Sequence, residues 1–144
     1  MYEYRGQLRF SDCDAMGHVN HARFATLFED ARIGLLRSIA GGEGGITSRG
    51  IILARLEIDY LRPLVLDDDP VAVLTRVVGI GRSSFSIDYE LRQRGRLCAR
   101  GLSVLVAYDY AAGHPRPLAP AERDQLGAVL EGLLQPEEEA DASS

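Results

Sequence analysis

The chain has 144 residues, 46% of them hydrophobic and 26% charged, enough for one domain with a real core and too few for two. The net charge is −5, but Glu137, Glu138, Glu139 and Asp141 in the final stretch QPEEEADASS supply most of it. The nearly neutral body excludes a general nucleic-acid binder, and no apolar run approaches the roughly 20 residues of a membrane-spanning helix.

Residues 2–10 alternate in polarity and predict a first strand. Residues 11–20 are polar, contain Gly17 and read as a loop. Over 21–39, Phe24, Leu27, Phe28, Ala31, Leu35 and Ile39 recur at three- and four-residue steps, which predicts an amphipathic helix. Asn20 is placed to cap it, and the glycines of GGEGG end it. From residue 51 the period changes. Four runs rich in Val, Ile, Leu and Tyr follow: ILARLEIDYL, PVAVLTRVVGI, SFSIDYELRQ and RLCARGLSVLVAYDY. Their joins are short, and Gly95 suits a hairpin turn, so neighbouring strands should be antiparallel. Three prolines in GHPRPLAP interrupt the pattern. A last amphipathic helix is expected over about 120–134, and residues 135–144 read as a disordered acidic tail.

The class is therefore α+β: a single domain over 1–134, with an antiparallel sheet around one long helix and a short C-terminal helix. The sheet keeps an uncovered face or edge, so self-association as a homodimer or homotetramer is expected. MYEYRGQLRF lacks an apolar signal core, and Cys13 and Cys98 make no disulfide framework. Free thiols in a cytoplasmic protein are the expectation. All 16 basic residues are arginine. Arg76, Arg82, Arg92, Arg94, Arg96 and Arg100 crowd one hairpin region against Asp88 and Glu90, a pattern usual for a solvated face.

The stretch RFSDCDAMGHVNHARF, residues 9–24, holds two of the three histidines beside two aspartates. Four readings fit it. The aspartates can serve the loop's own backbone N–H groups. Asp12, Asp14, His18 and His21 can supply metal ligands, although no HExxH or paired-cysteine spacing accompanies them. Cys13 can be a nucleophile, although two flanking carboxylates disfavour a thiolate. Finally, a carboxylate on the loop feeding a helix can act on a carbonyl held at the helix N-terminus. Free N–H groups and the helix dipole there stabilise an oxyanion, the carboxylate attacks or activates water, and Gly17 lets the loop close.

Asp12, Asp14, Gly17, His18, Val19, Asn20, His21, Phe24, Glu29, Ala31 and Arg32 together resemble the signature of the 4-hydroxybenzoyl-CoA thioesterase-like family of the hot-dog fold. LEIDYLRPLVLDD and GRSSFSIDYEL also look like strands of that family, and the resemblance covers about residues 5–120. It implies an acyl-CoA thioesterase that needs no cofactor or metal and acts on an acyl-CoA or an acyl-carrier-protein thioester. By the same resemblance Asp14 is nucleophile or general base, and the His21 backbone N–H polarises the thioester carbonyl. The His21 side chain is then auxiliary and Asp12 structural. Gly17, His18 and Asn20 line the substrate, and Arg82, Ser83 and Ser84 meet the phosphates of coenzyme A. Asn20 and Arg23 depart from the family's usual residues, so no acyl specificity carries over. Glu29, the alternative helix carboxylate, reads as the partner of Arg32 or Arg23. His114 has no role. Two other functions share the resemblance: a hot-dog enoyl-thioester hydratase, whose His-x-x-x-Gly-x-x-x-x-Pro pattern is absent, and a non-catalytic binding module.

Overall fold

The computed structural model describes residues 1–39, 49–66 and 69–131. The glycine stop at 41–45 and the acidic tail lie outside the described residues. Six strands and two helices run β1 (Tyr2–Gly6), α1 (His21–Ile39), β2 (Ile51–Tyr60), β3 (Val71–Ile80), β4 (Ser84–Gln93), β5 (Arg96–Asp109), β6 (His114–Pro115) and α2 (Pro120–Val129). The sheet order is β1-β3-β4-β5-β2, with β6 pairing β5. Every pairing between these strands is antiparallel. The short joins make β3-β4-β5 a meander. Arg94 and Gly95, both at positive φ, turn the last hairpin. The longer connection after Tyr60 lets β2 lie outside β5, at the sheet's edge.

Period-two burial on β3, β4 and β5 turns Val71, Val73, Val77, Phe85, Ile87, Tyr89, Leu91, Ala99, Leu105 and Ala107 inward. The stripe of α1 meets them through Phe24, Leu27, Phe28, Ala31, Leu35 and Leu36. The Phe28 and Tyr89 rings stack with centroids 4.8 Å apart. The helix comes so close to β5 that a Cβ added at Gly101 would lie 2.5 Å from Phe28 Cε2. Arg32 is buried beside this stack and donates to the Tyr89 hydroxyl at 3.3 Å; that hydroxyl is 2.6 Å from Ser103 Oγ. Burial pushes the Tyr89 pKa up, against the opposing influence of Ser103 and Arg32.

Two boundaries differ from the sequence reading. β1 stops at Gly6 rather than residue 10. At Gly6 a side chain would collide with Tyr4 and Leu27, and a 3₁₀ turn, Phe10–Asp12, then redirects the chain. Helix α2 stops at Val129 rather than 134. Leu130 is extended and forms a parallel bridge with Val77, and Glu131 N–H donates to the Val77 carbonyl at 2.8 Å. Pro120 opens α2 at its first position, where its missing N–H costs nothing. Glu122 reaches back to the Ala119 N–H at 2.7 Å. Its buried carboxylate also receives Arg116 Nη1 at 2.7 Å and Nη2 at 3.0 Å. Burial alone would raise the Glu122 pKa, but these bonds outweigh it and hold it below the usual carboxylate value. No helix among the described residues is long and apolar enough to cross a membrane.

Candidate active site

Residues 13–19 form a small closed loop between β1 and α1. Cys13 and Val19 bridge its ends, His18 bridges to Val65, and Val19 N–H donates to the Leu64 carbonyl at 3.1 Å. Gly17 takes φ +80°, a conformation costly for other residues. Inside the loop Asp14 Oδ1 accepts the N–H groups of Met16 at 2.9 Å and His18 at 3.1 Å. No hydrogen bond among the described residues reaches Oδ2. Asp12 is engaged differently. Its Oδ2 accepts the Arg9 N–H at 2.8 Å and lies 3.4 Å from Arg23 Nε on α1. Asp12 therefore ties the loop to the helix, while Asp14 keeps one oxygen open.

Asn20 caps α1. Its Oδ1 accepts the Ala22 N–H at 2.9 Å, and its carbonyl accepts the Arg23 N–H at 2.9 Å. Among the described residues the His21 N–H has no acceptor, so the first helical position presents an open donor at the positive end of the dipole. The His21 ring is held aside. It stacks on Tyr60 at a centroid distance of 4.4 Å and 26°, and meets the Phe24 ring edge-on at 5.9 Å. Tyr60 OH lies 3.5 Å from the His21 carbonyl.

Asp14, His18 and His21 share one open cleft of about 350 Å³ with Val19, Phe24, Tyr60, Leu61, Arg62 and Pro63. Gly17 lines an adjoining, more apolar hollow of about 500 Å³ with Phe10, Cys13, Asp14, Ala15 and Leu66. Asn20 stands at the helix cap beside the cleft. Arg82, Ser83 and Ser84 are elsewhere. They form the β3–β4 turn at the opposite end of the sheet, where Ser84 pairs with Val106, whereas Tyr60 pairs with Ala99, which pairs with Leu91. The seven residue steps from Ser84 to Leu91 span roughly 23 Å of strand. Within one chain these residues do not meet Asp14.

Among the described residues no three His, Cys, Asp or Glu side chains are grouped to hold a metal ion. Cys98 is buried, and burial pushes its thiol pKa up, which suits packing rather than attack. Glu29 lies 3.8 Å from Arg32. Tyr60, Arg62 and Pro63 are cleft residues that sequence pattern does not single out. They lie in LEIDYLRPLVLDD, a stretch that the family resemblance marks as a strand without assigning these residues a role.

A family model described as the thioesterase-like superfamily matches residues 8–129, and the chain belongs to that family of thioester hydrolases. A relative from Synechococcus elongatus, 1,4-dihydroxy-2-naphthoyl-CoA hydrolase, is 25% identical over 132 residues, covering 87% of this chain and 94% of the relative. A thioesterase from Thermus thermophilus, crystallised in complex with coenzyme A and Zn, is 39% identical with a TM-score of 0.77, covering 88% of this chain and 92% of that one. A predicted thioesterase from Bacillus stearothermophilus is 26% identical with a TM-score of 0.82, covering 92% and 98%. The sheet around α1 is the hot-dog fold of these thioesterases.

Proposed function

We propose that the protein is an acyl-CoA thioesterase that releases a free acid and coenzyme A. The observation that carries this is the meeting, in one cleft, of a carboxylate with an open oxygen and a helix N-terminus with an open N–H. The thioester carbonyl accepts the His21 N–H, which polarises it and stabilises the oxyanion formed on attack. Asp14 Oδ2 takes a proton from water as the water oxygen adds to the carbonyl carbon. The tetrahedral intermediate then collapses, the C–S bond breaks, and the thiolate leaves and is protonated. In the alternative course Oδ2 itself adds, giving a mixed anhydride that water hydrolyses. The two bonds to Oδ1 fix the direction in which Oδ2 points in either case. The His21 ring serves as cleft wall and His18 as a neighbouring polar group.

Homo-oligomerisation is part of this reading. β2 pairs with β5 on one side and has no strand on its other side among the described residues. Two-fold antiparallel pairing of β2 with a second copy covers that edge. It also brings the partner's Ile51 end, and the β3–β4 turn at the same end of the sheet, toward the Tyr60 end of the first chain. In that assembly Arg82, Ser83 and Ser84 serve the cleft of the other copy.

Free-thiol release from short, long and aromatic acyl-CoAs tests the function, with wild type and Asp14→Asn side by side. The naphthoyl-CoA relative makes aromatic esters the first choice. Release by wild type and not by the variant is expected; no release from any ester sinks the proposal. Label found in Asp14 after turnover in heavy-oxygen water identifies the anhydride course, because only hydrolysis of an anhydride at its aspartyl carbon puts solvent oxygen there.

A further inference from the structure

Arg23 stands where a cation is least expected. It is the third residue of α1, in the first turn, where the helix dipole favours negative charge. Its side chain is nonetheless only 15% exposed, and its Nε is buried and makes no hydrogen bond among the described residues. A charge kept in such a place needs compensation nearby. Two carboxylates supply it. Asp12 Oδ2 lies 3.4 Å from Nε with its side chain 9% exposed, and Asp30 Oδ2 lies 4.0 Å from Nη1 with its side chain 38% exposed. The Asp30 pair is longer and partly solvated, which makes it the weaker. The Asp12 pair is shielded from water, which strengthens the attraction across it.

Asp12 is also the residue through which the outgoing limb of the Asp14 loop is held. The returning limb is fixed from outside the helix: His18 bridges to Val65, and Val19 N–H donates to the Leu64 carbonyl. The Cys13–Val19 bridge joins the two limbs to each other. What ties the outgoing limb to α1 is Asp12, twice over. Its carbonyl accepts the Asn20 N–H at 2.8 Å, and its carboxylate faces Arg23. The backbone bond at the foot of the helix is a pivot. The Arg23 charge, nearly one turn farther along, is a second point of attachment away from it. Two points fix an orientation that one leaves free.

We infer that Arg23 is a positioning residue for the hydrolysis proposed above. Its guanidinium holds Asp12, and through Asp12 it sets the angle between the loop that carries Asp14 and the helix end that carries the His21 N–H. The inference rests on that reading of Asp14 and His21. Arg23 is not among the residues lining the Asp14 cleft, so it acts through Asp12 and not on the ester. A misplacement of about 1 Å in a reacting pair costs up to roughly 100-fold in rate. The Asp12–Arg23 pair therefore shows in kcat although neither member meets the substrate.

A double-mutant cycle on Asp12→Asn and Arg23→Gln tests this, with kcat and KM measured on an acyl-CoA ester that wild type hydrolyses. Asp12→Asn keeps an acceptor for the Arg9 N–H and loses the charge. The two variants break the pair from opposite sides, so either one alone can refute the inference if the other does not fold. Each should lose about tenfold or more in kcat with KM held. The double variant should lose no more than the worse single one, because the two residues act as a unit. Asp30→Asn, which breaks only the outer pair, should lose far less. Unchanged kcat, losses that multiply in the double variant, a change confined to KM, or an equal loss in Asp30→Asn overturns the inference while leaving thioester hydrolysis standing. Amide hydrogen exchange needs no turnover and reads the attachment itself even if no ester is cleaved. The Met16 and His18 N–H groups, both bonded to Asp14 Oδ1, should exchange about tenfold faster in Arg23→Gln, with the Leu27 and Phe28 amides of α1 unchanged. Equal acceleration in the helix marks a merely structural role and overturns the inference, as does no acceleration at Met16 and His18.

Discussion

Asp14 and His18 hold each other twice. Asp14 N–H donates to the His18 carbonyl at 2.8 Å, and His18 N–H donates back to the Asp14 carboxylate at 3.1 Å. The residue proposed to do the chemistry is thus also the residue that shapes its own loop, and two substitutions separate those duties. Asp14→Asn keeps an Oδ1 acceptor for both N–H groups and loses the charge. Turnover should fall by roughly 10²–10⁴ with the thermal midpoint unchanged. Asp14→Ala loses the acceptor as well and should in addition cost about 1 kcal/mol of stability. Paired activity and thermal-melt measurements check both.

The His21 backbone and side chain can also be separated. Proline is favoured at the first position of a helix, and the His21 N–H bonds to nothing else among the described residues. His21→Pro should therefore fold and lose roughly 10²–10³ in kcat, as for the removal of one oxyanion donor. His21→Ala keeps the N–H and loses only the ring stacked on Tyr60. Its kcat should fall far less than that of the proline variant. The reverse ranking would move the chemistry to the imidazole.

Acid stability should depend on Glu122. Its folded pKa is lowered, chiefly by Arg116 and the Ala119 N–H acting against the upward push of burial. A lowered carboxylate pKa stabilises the fold above the unfolded value, and that stability is lost as pH falls through the folded value. Chemical denaturation from neutral pH to below the ordinary carboxylate range should show the loss. Glu122→Gln should cost roughly 2–3 kcal/mol at neutral pH and flatten the acid limb.

Tyr89→Phe keeps the ring on Phe28 but leaves Arg32 and Ser103 without their shared hydroxyl. Stability should fall by about 1–2 kcal/mol, read as a lower denaturant midpoint at an unchanged m-value. Ser103→Ala on top of it should then cost less than it does alone, because the coupling has already been removed.

What is legible in the sequence is what short-range pattern encodes. The stripe from Phe24 to Leu35, the Asn20 cap and the four strands after residue 51 stand where the periodicities put them. The ends of β1 and α2 depart from the pattern because each is set by a tertiary neighbour: Leu27 beside Gly6 and Val77 beside Leu130. The Asp14 loop can be read because its parts lie within ten residues of one another. Tyr60 and Arg62 cannot. Their positions follow from the β2–β5 register, a pairing across some 40 residues that no local pattern carries. The separation of Arg82 from Asp14 within one chain is likewise a property of strand order.

Gly101 shows how far such long-range control extends. Phe28 rests where a Cβ on Gly101 would stand, so the height of α1 above the sheet is set by an atom that is missing. Phe28 lies two turns below His21 on that helix, and the first-turn N–H rides with it. A single methyl group at position 101 would lift the helix like a shim under one leg of an instrument. The alignment of donor and carboxylate at the far end would change with no residue of the cleft altered.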